Sequence, residues 1–266
     1  MNDTVPAGPV RVSFNVANPA RTYNWLLGGK DNFLADRILA RQLLEAVPDA
    51  HAIARANRHF VVHAVGHAAW SGVRQFVDLG CGLPAWPDVQ AIACPVVPDA
   101  RIVYVDNDPL VIRHSQAKQS TTPSVIAIGG DIRSPQAILA DPQMGLIDFA
   151  KPVMVLLTAV LHFIGPDDDA AGIVSAFTGR LAPGSILAIS HAVTDGSDPA
   201  ALEAVTHAFH AAGSPLTPRS VAEVAAMFGG FELVPPGLAD VPGAEPSPAA
   251  GPHGVRVVCG IGVRTH

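Results

Sequence analysis

The sequence predicts an α/β protein built on an open, doubly wound and mostly parallel sheet. Three observations carry that expectation. Short apolar runs alternate with stretches of helical period along the chain. One of them, Phe76-Val77-Asp78-Leu79, leads straight into Gly80-Cys81-Gly82 with Pro84 behind it, which is the order strand, glycine turn, helix start. The most apolar run, Pro152–Leu161, suits a strand at the centre of a parallel sheet.

Size and composition fit one large domain or a domain with an appendage. The chain has 266 residues, 49% of them hydrophobic and only 15% charged, enough for a sizeable core. A net charge of −6 and the absence of a basic stripe argue against a nucleic-acid partner. The longest apolar run, Val153–Ile164, is too short to span a bilayer, so no membrane partner is expected. Cys81, Cys94 and Cys259 form no paired framework, and Met1-Asn2-Asp3-Thr4 does not read as a signal peptide; a cytoplasmic protein is expected.

Residues 1–20 read as an extended lead-in, with Pro6, Pro9 and Pro19 and no clear period. Tyr23 to Phe33 follows, polar, aromatic and glycine-containing, ahead of the first strand. Gly28-Gly29-Lys30 fails the phosphate-loop pattern, which needs glycine where Asn24 stands and Ser or Thr where Asp31 stands. The stretch is expected to be a lid, with Tyr23, Lys30, Asn32, Phe33 and Asp36 as acceptor contacts. Asp31 or Asn32 is expected to cap a helix to about Val47. A second helix, from Pro48-Asp49 to about Trp70, puts His59, His63 and His67 on one face without an acid or cysteine beside them, so no metal is expected. Arg55, Asn57 and Arg58 on it are within reach of the glycine turn, and Arg58 suits a carboxylate. Residues 1–70 are therefore assigned to an extension and helical lid, and 71–266 to one compact ligand-binding unit.

The turn itself selects the ligand. Gly80-x-Gly82-x-x-Ala85 satisfies a loose dinucleotide fingerprint, but Asp78 would repel a pyrophosphate. S-adenosylmethionine (SAM) carries an ammonium, a carboxylate and a sulfonium and no phosphate. An acid beside free amides, here Asp78, Gly80, Gly82 and Leu83, suits such a zwitterion.

The rest of the chain repeats the unit. Arg101–Asp106 reads as a second strand, with Asp106 placed for a ribose diol, Asn107 beside it, and Asp108-Pro109 as helix cap and first turn. Ser124–Ile128 is a third strand, whose loop sets Asp131 and Ile132 at an adenine. The central strand ends near Thr158 and His162, the latter a candidate base. Asp167-Asp168-Asp169 starts a helix ending near Leu181–Gly184. Ser185–His191 is a strand, Pro199–Ala212 and Thr217–Phe228 are helices, and Phe231–Val234 is a strand. Pro235, Pro236, Pro242, Pro246, Pro248 and Pro252 mark a loop, and Gly254–Val263 closes the chain as a strand, taken as an edge.

These strand ends resemble the class I SAM-dependent methyltransferases. The blocks Tyr23–Phe33, Ala54–Arg58, Gln75–Pro84, Val103–Pro109, Leu156–Phe163, Asp167–Asp169, Leu181–Ser185 and Ser190-His191 are similar to one actinobacterial family of them, once labelled only as a domain of unknown function, DUF574. The resemblance implies a seven-stranded Rossmann-like sheet with its last strand antiparallel. It also implies SAM as cofactor, with Asp78, Gly80 and Gly82 at the methionine, Asp106 on the ribose, and Asp131 and Ile132 at the adenine. It supplies no acceptor. The expectation is a methyltransferase acting on a small molecule, with a homodimer as an open assembly state. A nicotinamide-dependent oxidoreductase and a non-catalytic SAM-binding regulator are the alternatives.

Overall fold

The computed structural model describes residues 13–120, 122–242 and 254–266. Its first sheet strand, β1 (Gln75–Leu79), is buried at every position. Parallel pairing links it to β2 (Arg101–Asp106) and β4 (Met154–Thr158). Beyond them lie β3 (Val125–Gly129) and β5 (Ile186–Val193), also parallel. Their order, β3-β2-β1-β4-β5, reverses direction at β1/β4, the switch point where such sheets bind ligands.

β8 (Arg256–Val263) adds antiparallel to β5 across eight residue pairs. On its far side it pairs with β6 (Glu232–Leu233) and β7 (Ala239–Asp240). The result is an 8-stranded sheet: the seven expected strands in a row, plus the two-residue β7. The expected edge position of the last strand is thus corrected. Neighbours flank β8 on both sides because Gly260 and Gly262 leave room for Phe228, Phe231, Leu233 and Leu238, whose atoms would meet added Cβ atoms at 2.8 to 3.5 Å.

Strand alternation divides the core into two faces. Val77, Leu79, Val103, Val105, Val155 and Leu157 pack with α7 (Ala170–Thr178) and α9 (Val221–Ala226). Phe76, Ile102, Tyr104, Met154 and Leu156 pack under α3 (Ala50–Trp70) and α4 (Val89–Ala93). Asp78 shares the parity of Phe76, so it lies on the face that α3 covers. A boundary after residue 70 therefore falls between a helix and a strand that share one core. α7 stops at Thr178 rather than near Leu181, and α9 is shorter than the expected Thr217–Phe228.

A third core joins α1 (Pro19–Leu26), α2 (Leu34–Ala46) and the start of α3 to α8 (Pro199–Ala211), through Leu26, Leu39, Leu43, Val205 and Phe209. The cap of α2 differs from expectation. Phe33 is the capping residue, and its N–H is bound by the Asp36 carboxylate at 2.8 Å, while Asp31 and Asn32 are engaged elsewhere. The proline-rich stretch contains β7, and its residues 243–253 lie outside the described ones.

Candidate functional site

The glycine turn is held open by its own geometry. Gly80 (φ +71°) and Gly82 (φ +64°) are both left-handed, a conformation that favours glycine. A Cβ on Gly80 would lie 2.3 Å from the Val160 side chain, so that position has no room for one. Val160 is set there by Ala159, whose φ of +54° is unusual for a residue with a side chain. The Ala159 N–H donates to the Ser190 hydroxyl at 2.9 Å and to its carbonyl at 3.1 Å, which fixes this strained end of β4. Nothing in the identity of an alanine announces such a conformation.

Asp106 ties the turn to the end of β2. One oxygen accepts from Gly82 N and the other from Asp108 N, both at 2.9 Å. Burial raises its pKa to about 6, against the lowering effect of those amides. Each oxygen keeps a second lone pair, so a diol could still be accepted. The Asp108 carboxylate caps α5 (Pro109–Lys118) at Leu110 N, as expected.

Asp78 is different. It is 6% exposed, and no hydrogen bond from the described residues reaches its carboxylate. Burial pushes its pKa up to about 7, opposed by Arg58 and reinforced by Asp106 and Asp88. Arg58, opposite it on α3, donates through Nη2 to the carbonyls of Ala85 (3.0 Å) and Pro87, while its Nε is buried without a partner. Next to it, Asn57 donates to the Tyr23 hydroxyl at 3.0 Å, which donates on to Ala54 O at 2.9 Å, and Asn57 Oδ1 is again buried and unpartnered. Burial raises the Tyr23 pKa, and Arg58 opposes it. Leu83 is buried beside the turn, and Arg55 is exposed. The amides of Gly80 and Cys81 donate to Val105 O and that of Gly82 to Asp106, so the expected free amides are corrected to bonded ones. The unused hydrogen-bonding capacity near the turn belongs to side chains: an acid, a cation and an amide oxygen.

At the third strand end, Asp131 accepts from Arg133 N (3.0 Å) and from Nη2 (2.5 Å). Those bonds hold its carboxyl below the usual range, with a smaller lowering influence from nearby Asn107. Ile132 is buried in the sheet core and Thr158 is half-buried.

The lid residues separate into two kinds. Asp36 is fully buried and accepts from Asn18 N (2.9 Å), Arg21 Nε (3.2 Å) and Phe33 N (2.8 Å). Asn32 is also buried, donating to Asn24 Oδ1 and Gly29 O at 2.9 Å and accepting from Arg37. The chain itself thus already engages the polar groups of both residues expected to meet an acceptor. Phe33 packs edge-on against Phe14 at 4.6 Å and lies under Arg21. Tyr23 is tied to α3 through Ala54 and Asn57, and Lys30 is exposed.

His162 sits in the short helix after β4. Its ring is 7% exposed, and burial, with His191 and Arg219 nearby, pushes its pKa well below 6.5. Nδ1 accepts from Ala192 N at 3.4 Å, which places the ring proton on Nε2. A pKa held that low makes the ring a weak base. Neighbouring His191 donates from Nδ1 to Ala192 O and accepts from Arg219 at 3.1 Å. Among the described residues there is no group of three or more metal-ligating side chains, and no helix is long and apolar enough to cross a membrane.

With that geometry in view, likeness to other proteins decides the family. Residues 7–265 match the family described as S-adenosyl methyltransferase. The chain belongs to it. A DUF574 family protein from Streptomyces avermitilis is 32% identical, with 96% of this chain and all of that one covered and a TM-score of 0.88. A methyltransferase, so far putative, from Thermobifida fusca is 35% identical over 96% and 97% of the two chains, with a TM-score of 0.87. At 17% identity and a TM-score of 0.50, a Burkholderia thailandensis 1,6-didemethyltoxoflavin-N1-methyltransferase shares the fold, over 79% of each chain. No curated protein matches. As a member of the S-adenosyl methyltransferase family the chain is a SAM-dependent enzyme, and the nicotinamide and regulator alternatives are set aside.

Proposed function

We propose that the open polar groups around the glycine turn hold the amino-acid end of SAM, and that the methyl group goes to a small molecule. The carrying observation is Asp78, buried and without a hydrogen bond, facing an unpartnered Arg58 Nε and lying near an unpartnered Asn57 Oδ1. Unpaired buried polar groups are expensive, so three of complementary character together suit a ligand that satisfies them all. Asp78 and Asn57 Oδ1 fit an ammonium. Arg58 Nε fits a carboxylate, whereas the amides of Gly80, Cys81 and Gly82 are already spent on Val105 O and Asp106. Asp106 would take the ribose diol with Asn107 beside it, and Asp131 with Ile132 the adenine. Thr158, at the end of β4, faces the same crevice between the strand ends.

SAM supplies an already activated methyl group. This chain's part is then to position the donor and exclude water, and we assign no base to it. The small-molecule acceptor is supported by the net charge of −6, which offers nothing to a polyphosphate backbone. Three free cysteines suit the cytoplasm.

A crystal structure with S-adenosylhomocysteine, the demethylated product, tests the placement. The expected result is its carboxylate on Arg58 Nε and its ammonium on Asp78. An amino-acid end lying elsewhere would overturn the assignment.

A further inference from the structure

The loop between α1 and α2 reaches across to α5. Lys118 Nζ donates to Asp31 Oδ2 at 2.8 Å, and His114 Nδ1 lies 3.5 Å from the same oxygen. That His114 nitrogen is buried and has no hydrogen-bond partner. The glycine turn lies between the two helices that this contact joins. Ala20 of α1 comes within 3.9 Å of where a Gly82 Cβ would be, and Ser115 of α5 lies close enough to the Cys81 thiol to influence its pKa. Gly28 (φ +81°) sits at the end of α1, and Gly29 is pressed so close to Asn24 that a Cβ there would lie 2.3 Å from its side chain. The loop is thus pinned at one end by Asn24 and Asn32 and at its tip by a single charged carboxylate.

We propose that Asp31, with Lys118 and His114, is an electrostatic latch that closes the lid over the cofactor cleft and sets how fast the demethylated product leaves. The proposal rests on the placement of the cofactor at the glycine turn. A product seated there is enclosed by α1 and α5, and leaving requires these two to part. The only direct tie from the loop tip to α5 among the described residues is made by Asp31. A half-exposed pair of this kind is weak, so the latch can open on each turnover and slows release modestly.

Surface plasmon resonance on the full chain, with S-adenosylhomocysteine as analyte, reads the release rate directly. Asp31→Asn is expected to speed release about three- to fivefold, the scale of one partly exposed carboxylate–ammonium pair. Added salt should speed release from the parent and not from Asp31→Asn. Exchanging the charges, Asp31→Lys with Lys118→Asp, should slow release back toward the parent rate. Unchanged release in Asp31→Asn, with product still bound, overturns the latch alone. A parent protein that binds no S-adenosylhomocysteine overturns the cofactor placement and the latch with it.

Discussion

Asp36 and Asp78 are both buried acids facing an arginine, and they behave in opposite ways. Asp36 accepts three hydrogen bonds at 2.8 to 3.2 Å and pairs with Arg21, which also donates to Ser13 O and Val16 O. Every strong group in that cluster is used by the chain itself. Asp78 receives none from the described residues, and its arginine spends Nη2 on two carbonyls while Nε goes without. A closed polar cluster spends its capacity on holding elements together, here α1, α2 and the segment before them. An open cluster costs stability and keeps that capacity for a ligand. The contrast separates structural from binding residues without reference to any relative.

Substitution at the closed cluster has the largest expected effect. Asp36→Ala leaves Arg21 buried without its carboxylate and should cost about 3–5 kcal/mol, seen as a fall of roughly 10 °C in the thermal midpoint. A midpoint close to the parent's would mean that the lid is held by its apolar seam with α8 alone. Asp106→Ala stands between the two clusters, because that acid serves both the chain and the proposed ligand. It should weaken S-adenosylhomocysteine by about 1–3 kcal/mol in calorimetric titration. It should also lower stability, since Gly82 N and Asp108 N lose their acceptor. Lost stability with unchanged affinity would assign Asp106 to the turn only.

A smaller effect is the pH dependence of binding. The Asp78 pKa is raised to about 7, so its contribution to stability is present below the ordinary value of 3.8 and is lost as the pH rises through 7. An ammonium ligand prefers the ionised form. Affinity for S-adenosylhomocysteine should therefore rise about tenfold between roughly pH 6 and pH 8 as Asp78 ionises, and level off above that. A flat profile would mean that no titrating acid meets the ligand.

Much of the fold was legible because its causes are local. Apolar runs, Asp108-Pro109 and Gly80-x-Gly82 each act within a few residues, and the strands and turns fall where those signals lie. The position of β8 was not legible. Whether a terminal strand has one neighbour or two depends on Phe228 and Leu238 filling the space above Gly260 and Gly262, a packing fact between distant segments. The site divides along the same line. Residue types singled out Asp78, Arg58 and Asp106 and, equally, Asp36 and Asn32, whose hydrogen bonds the chain meets itself. Which acid has its hydrogen bonds met depends on partners 15 to 18 positions away, such as Arg21 and Asn18. The role of His162 turned on burial and on the Ala192 amide, which no spacing reveals.

Asp78→Asn, titrated with S-adenosylhomocysteine by calorimetry and melted at the same pH near 8, tests the difference between the two clusters most directly. The substitution removes a buried charge that the empty protein does not pair and the ligand does. Affinity should fall at least about tenfold, or 1.4 kcal/mol, while the thermal midpoint stays level or rises. Unchanged affinity together with a lower midpoint would show that Asp78, like Asp36, serves the fold and not the ligand.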